Sequence, residues 1–245
     1  NLQAREEAFM SGLADKIPLV GKTLIKGSER AYSMGLNKIR VDLYNRFADA
    51  MEQRGLTVEN SQEQYKEMAA YINNSTGRGD MGKALNKAAP VLNALFFSPR
   101  LIASRVNMLT YLAQPRFYKT VPKEVRKAYY RDMAKFIGLG ITVLALAKLG
   151  GADVEDDPRS SDFGKIKSGN TRWDIWGGFQ QYARVFSQMI TGEKKSTNTG
   201  EIQELDGEGR FGTTRGDVLK TFGRGKLAPV PAMVVDILSE RTIMG

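Results

Sequence analysis

Between Ser28 and Gly55 the apolar positions Tyr32, Leu36, Ile39, Leu43, Phe47 and Met51 recur at spacings of three and four, the period of one helix face. Ser28 is a suitable N-cap and Gly55 a stop, so a long helix is predicted between them. Asn60 with Glu63 has the form of a capping box and opens a second helix through Tyr65, Met68 and Tyr71 to about Asn74. Beyond the Gly-rich loop Gly77 to Gly82, Lys83 to Ala94 is helical, with Pro90 demanding a kink or a break. Phe96, Phe97 and Pro99 form a hydrophobic corner before a helix from about Arg100 to Leu112. Pro115 and Pro122 bracket a connector, and Pro122 opens a pattern that stays helical to about Leu149.

The pattern changes at Gly150. Asp153, Glu155, Asp156, Asp157 and Pro158 make an acidic loop, and the β-prone residues from Phe163 to Trp176 flank the turn dipeptide Gly169-Asn170, a hairpin signal. Phe179, Tyr182, Phe186 and Ile190 return to helical spacing. Thr191 to Gly212 reads as a long loop or a second small hairpin, and two short helices, about Arg215 to Phe222 and Ala232 to Glu240, follow. The expected fold class is mainly α, a helical bundle with a small β-hairpin insertion. Residues 1–27 would be an N-terminal arm, 28–152 the bundle, and 153–245 a hairpin, loop and short helices packing on it.

Composition removes several chemistries. The 245 residues include no His and no Cys, so there is no Ser-His-Asp or Cys-His nucleophile, no thiol redox and no zinc site of the usual nitrogen and sulfur ligands. The net charge is +9, and from Pro99 to Lys148 ten Lys and Arg face only Glu124 and Asp132. Lys119, Lys123, Arg126, Lys127, Arg131 and Lys135 are therefore the candidate membrane or DNA contacts. They lie among Tyr111, Phe117, Tyr118, Tyr129 and Tyr130, which either stack on bases or pack as core. The apolar run Phe136 to Ala147 follows. At ~1.5 Å per residue it spans about 18 Å, short of a ~30 Å hydrocarbon core. It reads as a helix buried on all sides, with membrane insertion beside other segments as the alternative. Trp173, Trp176, Phe179 and Tyr182 read as core, or as a subunit interface.

Two motifs imitate ligand sites. Gly77 to Lys83 has the spacing of a phosphate-binding loop, but Ala84 stands where a magnesium-ligating Ser or Thr belongs, and no strand is predicted before it. Asp153, Glu155 and Asp157 alternate like calcium ligands, yet Pro158 and Gly164 occupy the positions of the required Gly and bidentate Glu. No catalytic, cofactor-binding or metal-binding residue is assigned, and no cofactor is expected.

The ordered set Ser28-Glu29-Arg30-Ala31-Tyr32 with Leu36-Asn37-Lys38-Ile39-Arg40, Asn93-Ala94-Leu95-Phe96-Phe97-Ser98-Pro99-Arg100, Asp157 to Ile166, Asp174-Ile175-Trp176-Gly177-Gly178 and Lys226-Leu227-Ala228-Pro229 resembles the large polyvalent protein-associated domain of tailed bacteriophages and prophages. The resemblance covers most of the chain from Ser28 onward. It implies a structural segment of an internal virion (ejection) protein that assembles near the portal and helps deliver the genome across the host envelope. Its partners would be other copies of itself and other virion proteins, with DNA and the host membrane as candidates for the basic stretch. Its location would be the virion interior and, after ejection, the host cell envelope. The start at Asn1, running at once into an amphipathic charged stretch, suggests a piece of a longer polypeptide, where any enzymatic activity would reside. The rival classes are a peptidoglycan-degrading or nucleotide-dependent enzyme and a DNA-binding protein. The first would need an acid Glu in a cleft, and no motif here supplies one.

Overall fold

The computed structural model describes residues 26–208 and 212–239. The protein is mainly α, 62% helical, with small antiparallel β elements. It divides into two compact units: the described residues up to Tyr130 together with those from Leu227 on, and Arg131–Lys226. The division falls inside the long helix that begins at Lys123, not at the change of composition near residue 152. The arm expected over residues 1–27 lies almost wholly outside the described residues.

The first unit holds α1 (Lys26–Glu52), α2 (Gln62–Ser75), α3 (Lys83–Lys87), α4 (Ala89–Leu95), α5 (Pro99–Thr110), a 3-10 turn (Tyr111–Ala113), α6 (Pro115–Lys119) and the first turns of α7 (Lys123–Leu149). Pro90 breaks its stretch as expected: it is the second residue of α4, where a missing N–H costs nothing. Two start signals fail. Ser28 lies within α1, and the N-cap of α2 is Ser61, whose side chain makes no capping bond. Asn60 instead closes the preceding turn, accepting from the Thr57 N–H (2.8 Å) and donating to Gly55 O (2.8 Å). The side-chain amide has satisfied the loop before the helix can use it.

Helix α2 packs against α1 and α5 around Met51, Tyr65, Met68, Tyr71, Ile72 and Met108, all buried. Tyr71 touches the rings of Phe47, Tyr111 and Tyr129, and Phe117 meets Tyr111 at 5.0 Å and Tyr129 at 5.4 Å. Tyr129 donates to Met108 O (2.8 Å), tying α7 to α5. Tyr111, Phe117 and Tyr129 are thus core and take no part in a base-stacking surface. Tyr118 and Tyr130 remain exposed.

The second unit holds the rest of α7, a sheet ordered β1 (Asp153–Val154), β2 (Lys165–Ser168), β3 (Thr171–Asp174), then α8 (Gln180–Thr191), the hairpin β4 (Glu193–Lys195) with β5 (Ile202–Glu204), and α9 (Arg215–Arg224). The β2–β3 hairpin turns at Gly169-Asn170, with Ser168 opposite Thr171, as the dipeptide predicts. Within the polar stretch from 191 to 212 the second hairpin forms. A true capping box opens α9: Thr214 Oγ1 accepts from the Asp217 N–H, and the Asp217 carboxylate accepts from the Thr214 N–H. The last helix, α10 (Pro229–Ser239), belongs to the first unit and packs against α4, where Ala228 N–H donates to Leu95 O (2.9 Å).

Candidate functional site

Lys123, Lys127, Arg131 and Lys135 follow one another at four-residue intervals on α7, all exposed, so they form one stripe about 18 Å long at ~1.5 Å per residue. Lys119 is exposed at the end of α6. Arg126 stands apart: it is half-buried, and its Nη1 donates to Tyr118 O (3.2 Å), closing the end of α6. Arg131 pairs with its neighbour Asp132 at 2.9 Å. Glu124, the other acid of the helix start, is held by Arg54 (2.7 Å), which leaves the stripe cationic.

The apolar continuation of α7 is not buried on all sides. Gly140 is buried, and Phe136, Val143, Leu144 and Ala147 share its face half-buried, while Ile137, Leu139, Ile141, Leu146 and Leu149 are exposed, Leu139 by 68%. The physical reason is a single covering layer. Trp176 and Phe179 lie on the Phe136–Gly140 side, with Phe136 5.6 Å from Trp176 and 5.4 Å from Phe179. Trp176 is anchored there by its Nε1 donating to Gly164 O (2.9 Å). No described helix is long and apolar enough to cross a membrane.

Trp173 corrects its expected role as core: it is 60% exposed on β3, all four residues of which are exposed. Helix α8 is a larger surprise, because Phe186 and Ile190, on its apolar spacing, are exposed while Gln180 and Gln188 are buried. The buried side carries donors at four-residue spacing. Gln180 Nε2 reaches Ser161 O (3.3 Å), Arg184 Nη1 reaches Ser161 Oγ (2.9 Å) and Gln188 Nε2 reaches Arg159 O. The loop they hold is stiffened by charge. Arg159 bonds Asp157 through Nη2 (2.8 Å) and Nε (3.0 Å) and also pairs with Glu193, while Lys195 holds Glu155 at 2.9 Å. The bonds from Arg159 hold the Asp157 carboxyl down to about 2. Two of the three carboxylates that imitate a calcium loop, Glu155 and Asp157, are therefore spent on cations, and among the described residues no group of three or more acidic side chains is arranged to hold a metal ion.

The loop that imitates a phosphate cradle serves packing. Helix α2 precedes it where a strand would be required, and the Gly79 N–H donates to Arg100 O (3.0 Å). A Cβ on Gly79 would strike the backbone of α5 at Arg100, Ala103 and Ser104, so only glycine lets the loop lie this close. Asp80 accepts from the Gly82 N–H (2.9 Å) and from Asn86, and its carbonyl accepts from Asn107 Nδ2 (2.9 Å).

Sequence reasoning missed the groups around Lys226. Its Nζ sits 4.8 Å from the Phe222 ring centroid and 5.3 Å from that of Tyr182, and donates to Gln181 Oε1. Burial, with Arg184 adding repulsion, pushes the amine down to about 8. Only the polar period of α8 hinted at this region, and it did not reach Lys226. The chain matches no protein-family model, no curated protein and no solved structure.

Proposed function

We propose that this chain is a structural, interacting segment of a tailed-phage internal virion protein, which assembles with copies of itself and other virion proteins near the portal and helps deliver the genome across the host envelope. One observation carries the reading: three helices leave apolar faces uncovered. They are α7 (Ile137, Leu139, Ile141, Leu146), α8 (Phe186, Ile190) and α10 (Val230, Met233, Ile237, Leu238). Each such side chain gains roughly 1.5–3 kcal/mol on burial, so the faces favour a neighbour over water. Within α7 the cationic stripe runs directly into the apolar face, the order expected of a helix that meets an anionic surface through charge before burying its apolar residues. The resemblance noted in the sequence supplies the virion setting, and catalysis plays no part in the reading.

The test is sedimentation of the chain beside Leu139→Asp/Leu146→Asp. The parent should self-associate and the variant should not, with the same helical circular dichroism. Liposomes add the second arm. Lys123→Gln/Lys127→Gln/Arg131→Gln/Lys135→Gln should lose salt-sensitive binding to anionic vesicles. A monomeric parent that ignores vesicles at low salt overturns the proposal.

A further inference from the structure

Arg184 and Lys226 are half-buried cations of the second unit, and among its described residues neither has a carboxylate within ion-pairing distance. The unit does not lack acids. Asp157 and Glu193 are taken by Arg159, Glu155 by Lys195, and Asp162 by Lys165 and Arg172. Lys226 is held at Gln181, three residues before Arg184 on α8, so the two charges are turned toward one region. Two like charges taken from water without a counter-ion destabilise the fold, and an anion between them removes both penalties. The amine's lowered protonation is what this unrelieved arrangement produces.

The surroundings narrow the class of anion. Arg184 commits Nη1 to Ser161 Oγ (2.9 Å), and its fork has further donors. Lys226 lies against the Tyr182 and Phe222 rings, which meet edge to face at 5.3 Å and screen the amine from water on that side. A planar fork beside a point charge suits a compact oxyanion with several oxygens and more than one negative charge. We propose that Arg184 and Lys226, flanked by Gln181, Ser161, Tyr182 and Phe222, form a binding site for a phosphate group. The phosphate belongs either to a small phosphate species or to a nucleic-acid backbone.

The test reads the Lys226 amine directly in the full chain. Acetylation near pH 8 is followed residue by residue by mass spectrometry, with inorganic phosphate or with chloride at equal ionic strength. Phosphate at about ten times its Kd should slow Lys226 acetylation about tenfold and leave the exposed Lys220 unchanged, and chloride should slow neither lysine. A single-stranded oligonucleotide without terminal phosphates separates the sources. Protection by it as well assigns a phosphodiester, and protection by inorganic phosphate alone assigns a small phosphate species. Arg184→Gln, which keeps a donor for Ser161, should weaken the protection. Lys226→Met should melt no lower than the parent and lose the rise in melting temperature that phosphate gives the parent. Lys226 acetylation that is the same with and without both probes, or is slowed as much by chloride, overturns the proposal and does so whatever the chain's assembly state.

Discussion

Gly138 and Gly140 lie two residues apart in α7, and alanine should act on them with opposite sign. At Gly138 an added Cβ meets nothing within 4 Å, so the substitution only improves helix propensity, a gain of up to about 1 kcal/mol. At Gly140 the same Cβ falls within 3.0 Å of Cζ2, Cζ3 and Cη2 of Trp176, where ordinary carbon contact needs ~3.5–4.0 Å. The indole cannot yield freely. Its Nε1 is bonded to Gly164 O (2.9 Å), its backbone N–H to Asp174 Oδ1 (2.8 Å), and Phe136 abuts it. Overpacking costs about 1–3 kcal/mol, and displacement of the ring loses a hydrogen bond worth ~0.5–1.5 kcal/mol. After the propensity gain, Gly140→Ala should destabilise by about 1–3 kcal/mol, a fall in melting temperature of roughly 4–15 °C for a unit of this size. Both tryptophans, Trp173 and Trp176, lie in the second unit, so their fluorescence during thermal unfolding reports that unit alone. Gly138→Ala should melt at or above the parent. Equal melting of the two variants would refute the claim that Trp176 is pinned against this helix face.

Two further outcomes follow from polar groups. The Tyr111 hydroxyl is buried without a hydrogen-bond partner and burial drives its pKa upward, so Tyr111→Phe should leave the urea midpoint unchanged or raised; Tyr129→Phe, which deletes the bond to Met108 O, should lose about 1 kcal/mol. A clear loss at Tyr111 with none at Tyr129 would reverse the assignment. Asp157, lowered from 3.8 to about 2, is ionised more readily in the folded chain, so its contribution is complete above about pH 5 and disappears as pH falls through 2. Asp157→Asn should therefore be less stable than the parent at pH 6, and the gap should close on acidification; a gap that persists at pH 2 would show that the Arg159 bonds are not its source.

The helices were legible because periodicity and punctuation are local. Pro90 demanded a kink or a break and made a break, and Gly169-Asn170 signalled a hairpin and turns one. What failed depended on competition or on cover. Asn60 and Ser61 are both acceptable caps, and the turn that claimed Asn60 is invisible to a one-dimensional pattern. Trp173 and Trp176 have the same composition around them, yet Trp176 meets α7 and Trp173 lies on a strand whose four residues are all exposed. The apolar spacing of α8 brought Phe179 and Tyr182 against other rings but left Phe186 and Ile190 exposed, and Gln180 and Gln188 are buried beside Val185 because loop carbonyls meet their donors there. The basic stripe was legible as charge. The juxtaposition of Lys226 with α8 was not, since forty-odd positions of chain separate them and no local rule joins them.

The latch between α8 and the loop at 159–161 also bears on how this chain can drift through mutation. Gln180 and Gln188 grip carbonyl oxygens, which every residue possesses, so the grip reads the path of the loop and is blind to its letters. Substitutions in the loop that preserve its path leave these bonds in place, whereas a glutamate at either helix position offers an acceptor to an acceptor. Descendants of this sequence should therefore vary in the loop sooner than at the two glutamines. The apparently featureless polar side of α8 would be the more constant record of the fold.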